Sequence, residues 1–388
     1  MNTVKLYDLD AYATEFDATV LTCEKENDLY KVTLDKTLFF PEEGGQSADK
    51  GTLDGKEVLN VSIKGDVIFH YLKDALKPLQ NVHGQIDFEH RFKNMQMHSG
   101  EHIFSGLAYK NFSANNVGFH LSDNSATIDL DKEISDEELK KLESAVNTVI
   151  FENRSVTAYY PDADELKKLN YRSKKELKGP VRIVIIDGAD ICACCAPHVR
   201  KTGEIGIFKI VSKEKYKGGI RLNYLCGYRA LESFCKSLED LKAISQGLNC
   251  KAGTEKDRAL ELLSENAKLQ YENISLKNKL IDAEIKAEFK KRDYGLKVTD
   301  ITDSEVLRHA MKTLRGLYDG TCFLFAGDDE KGYKFLIESD VGETKKALTL
   351  LKEKYGAKGG GRAESIQGSF MGKIEPVLAD IKVLYIEH

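Results

Sequence analysis

Through the first 90 positions, apolar and polar residues tend to alternate. The alternation is weak in Ala18-Thr-Val-Leu-Thr22 and stronger in Leu29-Tyr-Lys-Val-Thr-Leu34 and Val58-Leu-Asn-Val-Ser-Ile63. Val67-Ile-Phe-His-Tyr-Leu72 adds a short apolar segment. A period of two belongs to strands with one buried face. Gly44-Gly45, Asp49-Lys-Gly51 and Asp54-Gly55 punctuate these runs as turns, the last being a hairpin signal. Residues 1–90 therefore read as a small antiparallel barrel or sandwich. From Arg91 the spacing becomes helical, with Phe92, Met95, Ile103 and Leu107 on one stripe. Val117–Leu121 and Ser125–Leu130 are strand-like, and Ser135 with Glu138 forms a capping box ahead of Leu139, Leu142, Val146, Val149 and Ile150. Val181–Ile186 is a buried strand, so residues 91–228 read as an α+β domain.

Residues 229–294 are helical, with an interruption near Gly247–Gly253. Leu262, Leu269, Leu276 and Ala283 fall seven apart, and Asn266, Asn273 and Leu280 lie between them. The spacing suits either a short coiled-coil seam, hence a homodimer, or a helix packed on its own domain. Residues 295–388 read as a last α+β unit. Asp303 opens a helix, Cys322–Ala326 and Tyr333–Ile337 pair as strands, and Val341–Tyr355 is mostly helical. Lys358-Gly-Gly-Gly-Arg362 reads as a turn before a closing strand at Ile381–Tyr385. The fold class is α+β: N-terminal β-barrel, α+β domain, helical segment, C-terminal α+β domain.

Composition changes this picture in two places. The chain has 388 residues and is 41% hydrophobic, too apolar to stay disordered. Its net charge of −5 argues against a coat-like basic nucleic-acid binder, although local basic surfaces decide such contacts. The N-terminus lacks an apolar stretch of signal-peptide kind, and no run reaches the ~18 apolar residues of a membrane span. The expectation is a cytoplasmic protein with reduced thiols and no membrane partner. The eight cysteines are then scattered, except for Cys192, Cys194 and Cys195.

That cluster carries chemistry. His98-Ser-Gly-Glu-His102 puts two imidazoles four apart on a helix, the spacing two ligands of one metal require. Ile191-Cys-Ala-Cys-Cys-Ala-Pro-His198 follows the buried strand and repeats the spacing between Cys194 and His198. The thiolate of Cys194 or Cys195, with His198, completes with His98 and His102 a four-ligand N₃S set that suits Zn²⁺. Glu43 and Glu101 are nearby in sequence, but neither is marked as a general base, so the catalytic residues stay unassigned.

Paired H-x-x-x-H and C-x-x-x-H, followed by Val199-Arg-Lys-Thr-Gly-Glu-Ile-Gly206, resemble the editing domain of alanyl-tRNA synthetases and the free-standing AlaX-type alanyl-tRNA editing proteins. Thr37-Leu-Phe-Phe-Pro-Glu-Glu-Gly-Gly-Gln46 looks like the glycine-rich motif of the same proteins, and Gly359-Gly-Gly-Arg362 resembles a motif of their C-terminal domain. The resemblance implies zinc ligands at His98, His102, Cys194 and His198. It implies contacts to a mischarged serine from Thr37 and Gln46, and to tRNA from Gly359, Gly360, Gly361 and Arg362. Where synthetases usually have Cys-Gly-Gly-Thr-His, this chain has Cys-Cys-Ala-Pro-His. Only 36 residues precede Thr37, so an aminoacylation domain is not expected before it. The implied reaction is trans-editing: hydrolysis of Ser-tRNA(Ala), and of Gly-tRNA(Ala), to free amino acid and intact tRNA. The readings to weigh against it are a threonyl-type deacylase and a non-catalytic zinc-stabilised tRNA-binding adaptor.

Phosphate contact is expected from two basic stretches. One holds Arg200, Lys201, Lys209, Lys213, Lys215, Lys217 and Arg221; the other holds Lys167, Lys168, Arg172, Lys174, Lys175 and Lys178.

Overall fold

The computed structural model describes residues 2–123, 125–173, 179–288 and 294–386. The chain divides into two compact units, Met1–Asp240 and Leu241–His388.

The first unit begins with six strands closed into a barrel: Glu15–Glu26, Leu29–Leu34, Val67–Leu72, Lys56–Lys64, Gly51–Leu53 and Asn81–Ile86, in that order around the wall. Period-two patterning fills it. Val20, Val32, Leu34, Val61, Ile68 and Leu72 are fully buried, and their neighbours along each strand, the buried Thr33 excepted, are partly or fully exposed. Closure also removes the exposed edges that a two-layer sandwich would leave. The segment between Leu34 and Gly51 packs Leu38, Phe39 and Phe40 into the same core.

A 25-residue helix, Phe88–Phe112, follows; Asp87 caps it by accepting from the His90 amide. This site helix is buried nearly all round, polar residues included. Arg91 anchors it to the barrel: the guanidinium donates to both oxygens of Asp49 and to the Ala11 and Leu38 carbonyls. Asp49 in turn accepts from the Phe40 amide at 2.6 Å. The helix packs on a four-stranded sheet ordered Phe208–Tyr216, Gly219–Cys226, Ala126–Leu130, Asn116–Leu121, and beside the capped helix Asp136–Phe151. Gly100 permits this contact, because a Cβ there would lie 2.4 Å from Cys226 Sγ. A three-stranded antiparallel sheet, Val156–Tyr159, Ile183–Ile186 and Asp190–Ala193, delivers the cysteine cluster to the site helix.

The helical region consists of Gly227–Gly247 and Glu255–Ala287, with the break where the glycines stand. In the second unit, Tyr294–Thr299, Thr321–Asp328, Gly332–Ser339, Ser365–Phe370 and Lys358–Gly361 form one sheet. Phe323 and Phe325 point to one face, under the helices Thr344–Tyr355 and Ile374–Ile386. Cys322, Leu324 and Ala326 point to the other, under Ser304–Leu317 and the end of Glu255–Ala287.

Two local expectations are corrected here. Lys358–Gly361 is not a turn but an exposed edge strand. Ile381–Tyr385 is not a strand but part of the last helix; Val377 and Ile381, four apart, are buried, with Ile374, Leu378 and Tyr385 beside them. The period of 3.6 over twelve residues outweighs the β-propensity of five.

Candidate metal centre

Four side chains from two elements converge. His98 and His102 leave the site helix on one face, and Cys194 and His198 come from the loop after Asp190–Ala193. Arg182 holds that loop in shape, donating to the carbonyls of Cys194 at 3.1 Å and Ala196 at 2.9 Å. The ring centroids of the three histidines lie 4.6–5.3 Å apart. Cys194 Sγ is 3.3 Å from His198 Nε2 and 3.6 Å from His98 Nε2. A tetrahedron with a ~2.3 Å Zn–S leg and ~2.0–2.1 Å Zn–N legs has an S···N edge of about 3.6 Å. The donor set therefore fits zinc in both chemistry and spacing.

What turns these nitrogens inward is a ring of partners on the opposite side of each imidazole. His98 Nδ1 meets Gln46 Oε1 at 2.8 Å, His102 Nδ1 meets Asp190 Oδ2 at 3.0 Å, and His198 Nδ1 meets Ser99 Oγ at 3.0 Å. With each Nδ1 engaged, each Nε2 is left for the metal, the arrangement that fixes tautomer and ring direction in metal-ligating histidines. Asp190, Ser99 and Arg182 carried no motif signal. The one sequence cue was Asp190 at the start of the strand that carries the cysteines.

The electrostatics agree with a thiolate ligand. Desolvation raises the Cys194 thiol, but His98 and His198, with hydrogen bonds from His102 and His198, outweigh it and hold it well below its usual value. Burial drives His198 down to about 3, against the pull of Cys194. His102 lies well above its usual value, because Asp190 and Cys194 outweigh desolvation. The two neighbouring cysteines behave differently. Burial pushes Cys192 up to about 11, and desolvation beside Cys194 and Glu43 raises Cys195 strongly. Both Cys194 and Cys195 pack against the barrel core, but of the two only the Cys194 sulfur lies in the donor group with the three imidazoles.

Gln46 reaches the centre because its loop is stitched to a strand of the α+β sheet. Leu121 donates to the Gly45 carbonyl at 2.7 Å, and Ser47 donates to Leu121 at 2.9 Å. Gly45 sits at φ +88°, and a Cβ there would fall 2.3 Å from the Phe119 carbonyl. Gln46 is fully buried, and its Nε2 has no hydrogen-bond partner among the described residues. Thr37 is also fully buried, but its hydroxyl is engaged: it bonds His70 Nε2 at 2.9 Å and accepts from the Phe39 amide at 3.1 Å. Glu101 Oε1 accepts from Ser105 at 2.6 Å and from Asn116. Its other oxygen lies 4.0 Å from His102 Nε2. Gly359, Gly360, Gly361 and Arg362 belong to the second unit, at the exposed edge strand and the turn that follows it.

The basic stretches are less open than their charge count. Lys209 pairs with Glu143, Lys213 with Asp136, Lys215 with Glu133, Arg221 with Asp129 and Arg200 with Asp10. Arg172 is taken by Asp190, while Lys174, Lys175 and Lys178 lie outside the described residues.

A barrel joined to an α+β domain that gathers three imidazoles and one thiol defines a class of domain built around a His₃Cys group able to hold a metal ion. Residues 181–223 match the family model described as the threonyl and alanyl tRNA synthetase second additional domain. The chain is 30% identical over 379 residues to the alanyl-tRNA editing protein Aarsd1 of Danio rerio, covering 92% of each. It is 32% identical over 246 residues to the alanyl-tRNA editing protein AlaX-L of Pyrococcus horikoshii, covering 61% of each. Against the alanine–tRNA ligase of Ignicoccus hospitalis it is 30% identical over 381 residues, 93% of this chain but 40% of that protein. The chain belongs to the alanyl-tRNA editing protein family.

Proposed function

We propose that this chain is an aminoacyl-tRNA deacylase that edits in trans, hydrolysing the ester of tRNA(Ala) mischarged with serine, and with glycine, in a zinc-dependent reaction. The observation that carries this reading is the convergence of His98, His102, Cys194 and His198, with the unpaired amide of Gln46 beside them. The four residues would hold zinc, which when bound supplies a Lewis acid able to polarise an ester carbonyl or lower the pKa of a water.

The chain's own residues do the rest. The Gln46 carbonyl fixes His98, and its free Nε2–H donates to the serine hydroxyl, a bond that alanine cannot make. A site built to bond a hydroxyl discriminates better than one that weighs a methylene. Thr37, held by His70, forms the neighbouring wall and reaches the hydroxyl by exchanging that bond. Gly359, Gly360 and Gly361 let the tRNA backbone approach closely, with Arg362 against phosphate. The cytoplasm is the location that goes with this reading. Among the described residues, no helix is long and apolar enough to cross a membrane. A homodimer uses the heptad seam, where Leu269, Leu276 and Leu280 are exposed while Ile281 and Ile285 on another face are buried.

The deciding experiment incubates purified protein with Ser-, Gly-, Thr- and Ala-tRNA on cognate and swapped tRNA bodies. Release of serine from tRNA(Ala), with Ala-tRNA(Ala) spared, is expected. Threonine release points instead to a deacylase of another aminoacyl-tRNA, of threonyl type. Binding without any release would make the chain an adaptor.

A further inference from the structure

Arg172 lies outside the four-residue centre, on the short segment that extends the three-stranded sheet. Its amide donates to the Ile191 carbonyl at 2.8 Å, and its own carbonyl accepts from Ala193 at 3.0 Å. Its guanidinium forks onto Asp190, with Nε 2.7 Å from Oδ1 and Nη2 2.8 Å from Oδ2. Oδ2 is the same oxygen that meets His102 Nδ1 at 3.0 Å. Little of this chain touches water: the side chains of Arg172, Asp190 and His102 are 16%, 2% and 3% exposed.

We infer that Arg172 is a positioning residue for the metal centre: it locks the Asp190 carboxylate so that His102 presents Nε2 to the metal, and it keeps Asp190 from becoming a ligand itself. The inference rests on the metal reading above. Two observations carry it. A carboxylate turns freely about its Cβ–Cγ bond unless both oxygens are held, and a planar guanidinium holds both in one plane. Further, His102, Asp190 and Cys192 form a second group of donor atoms within 4.8 Å of one another, overlapping the first at His102. A metal drawn into that group would take the wrong nitrogen of His102 and leave His98 and His198 without it. With its oxygens committed to Arg172, Asp190 supports the centre instead of competing with it.

The test is zinc affinity, measured by competition with a chromophoric chelator, together with the visible spectrum of the cobalt(II)-substituted protein. Arg172→Gln is expected to bind zinc about 10–100-fold more weakly, the range found when support of a ligand is removed. Its cobalt spectrum should change shape. Arg172→Lys keeps the charge without the fork and should fall between. Arg154→Gln serves as control, since Arg154 bonds Glu152 and the Asp187 carbonyl at the rim of the same sheet, and should match the parent. A folded Arg172→Gln within twofold of the parent, with an unchanged spectrum, overturns the inference. Should that variant fail to fold, Arg172→Lys decides: parental affinity overturns the proposal and weakened affinity supports it. A parent that binds no zinc removes the metal reading itself, and the inference with it.

Discussion

His70 and Gln46 show how much a single buried side chain can carry. Burial pushes His70 down to about 4, while its bond to the Val32 carbonyl pulls weakly the other way. An unfolded chain takes up that proton near 6.5, so between about 6.5 and 4 the unfolded state binds more protons than the folded one. Stability contributed by the neutral imidazole is complete above that window and is lost as pH falls through it, by up to about 3 kcal/mol. Urea denaturation at pH 7.5 and pH 5 should show the loss, and His70→Gln should shrink it. Gln46→Leu is expected to lower Ser-tRNA(Ala) hydrolysis by roughly tenfold to a hundredfold, since it removes both the His98 support and the free donor. An unchanged rate on that substrate would take Gln46 out of the site. In His102→Ala, bound zinc should fall to near zero by elemental analysis, with deacylation lost alongside; full activity in the folded variant would end the zinc reading.

At the scale of elements, the site helix is both ligand carrier and keystone. Arg91 and Asp49 are a fully buried ion pair between helix and barrel, satisfied on every side by carbonyls and an amide. Breaking one partner leaves an uncompensated buried charge, so Arg91→Met should cost about 3–5 kcal/mol in urea denaturation. Ser135→Ala, which removes the capping hydroxyl, should cost about 1 kcal/mol. These elements were legible where local physics dominates. The capping box, the heptad spacing and the alternating strands can be read from neighbours in the chain. The final helix was misread because Ile381–Tyr385 is short, apolar and rich in β-formers, and its burial on a sheet could not be seen locally.

The whole molecule decides charge and assembly. Counting residues 198–221 suggests a strongly basic surface, but the fold lays those cations beside Asp136 and Glu143 of the capped helix, Glu133 just before it and Asp129 on the neighbouring strand. The seam on Glu255–Ala287 shows the reverse effect. The helix packs on its own unit through Ile274, Ile281 and Ile285 and leaves the leucines of the seam outside. Sedimentation analysis should therefore find a dimer, converted to monomer by Leu269→Glu with Leu276→Glu; an unchanged mass would exclude the seam as the interface.

By itself the sequence determined the four convergent ligand types, the barrel's strands, the capped helices and the family resemblance, because each is written in spacing along the chain. Only the tertiary structure decided that Cys194 rather than Cys195 faces the imidazoles, and that Gln46 supports His98 while Thr37 is bound to His70. It alone brought Asp190 and Arg172 behind His102. Supporting partners leave no motif, since any acceptor that the fold brings within hydrogen-bond reach can serve, and that reach depends on strands and helices far apart in the chain.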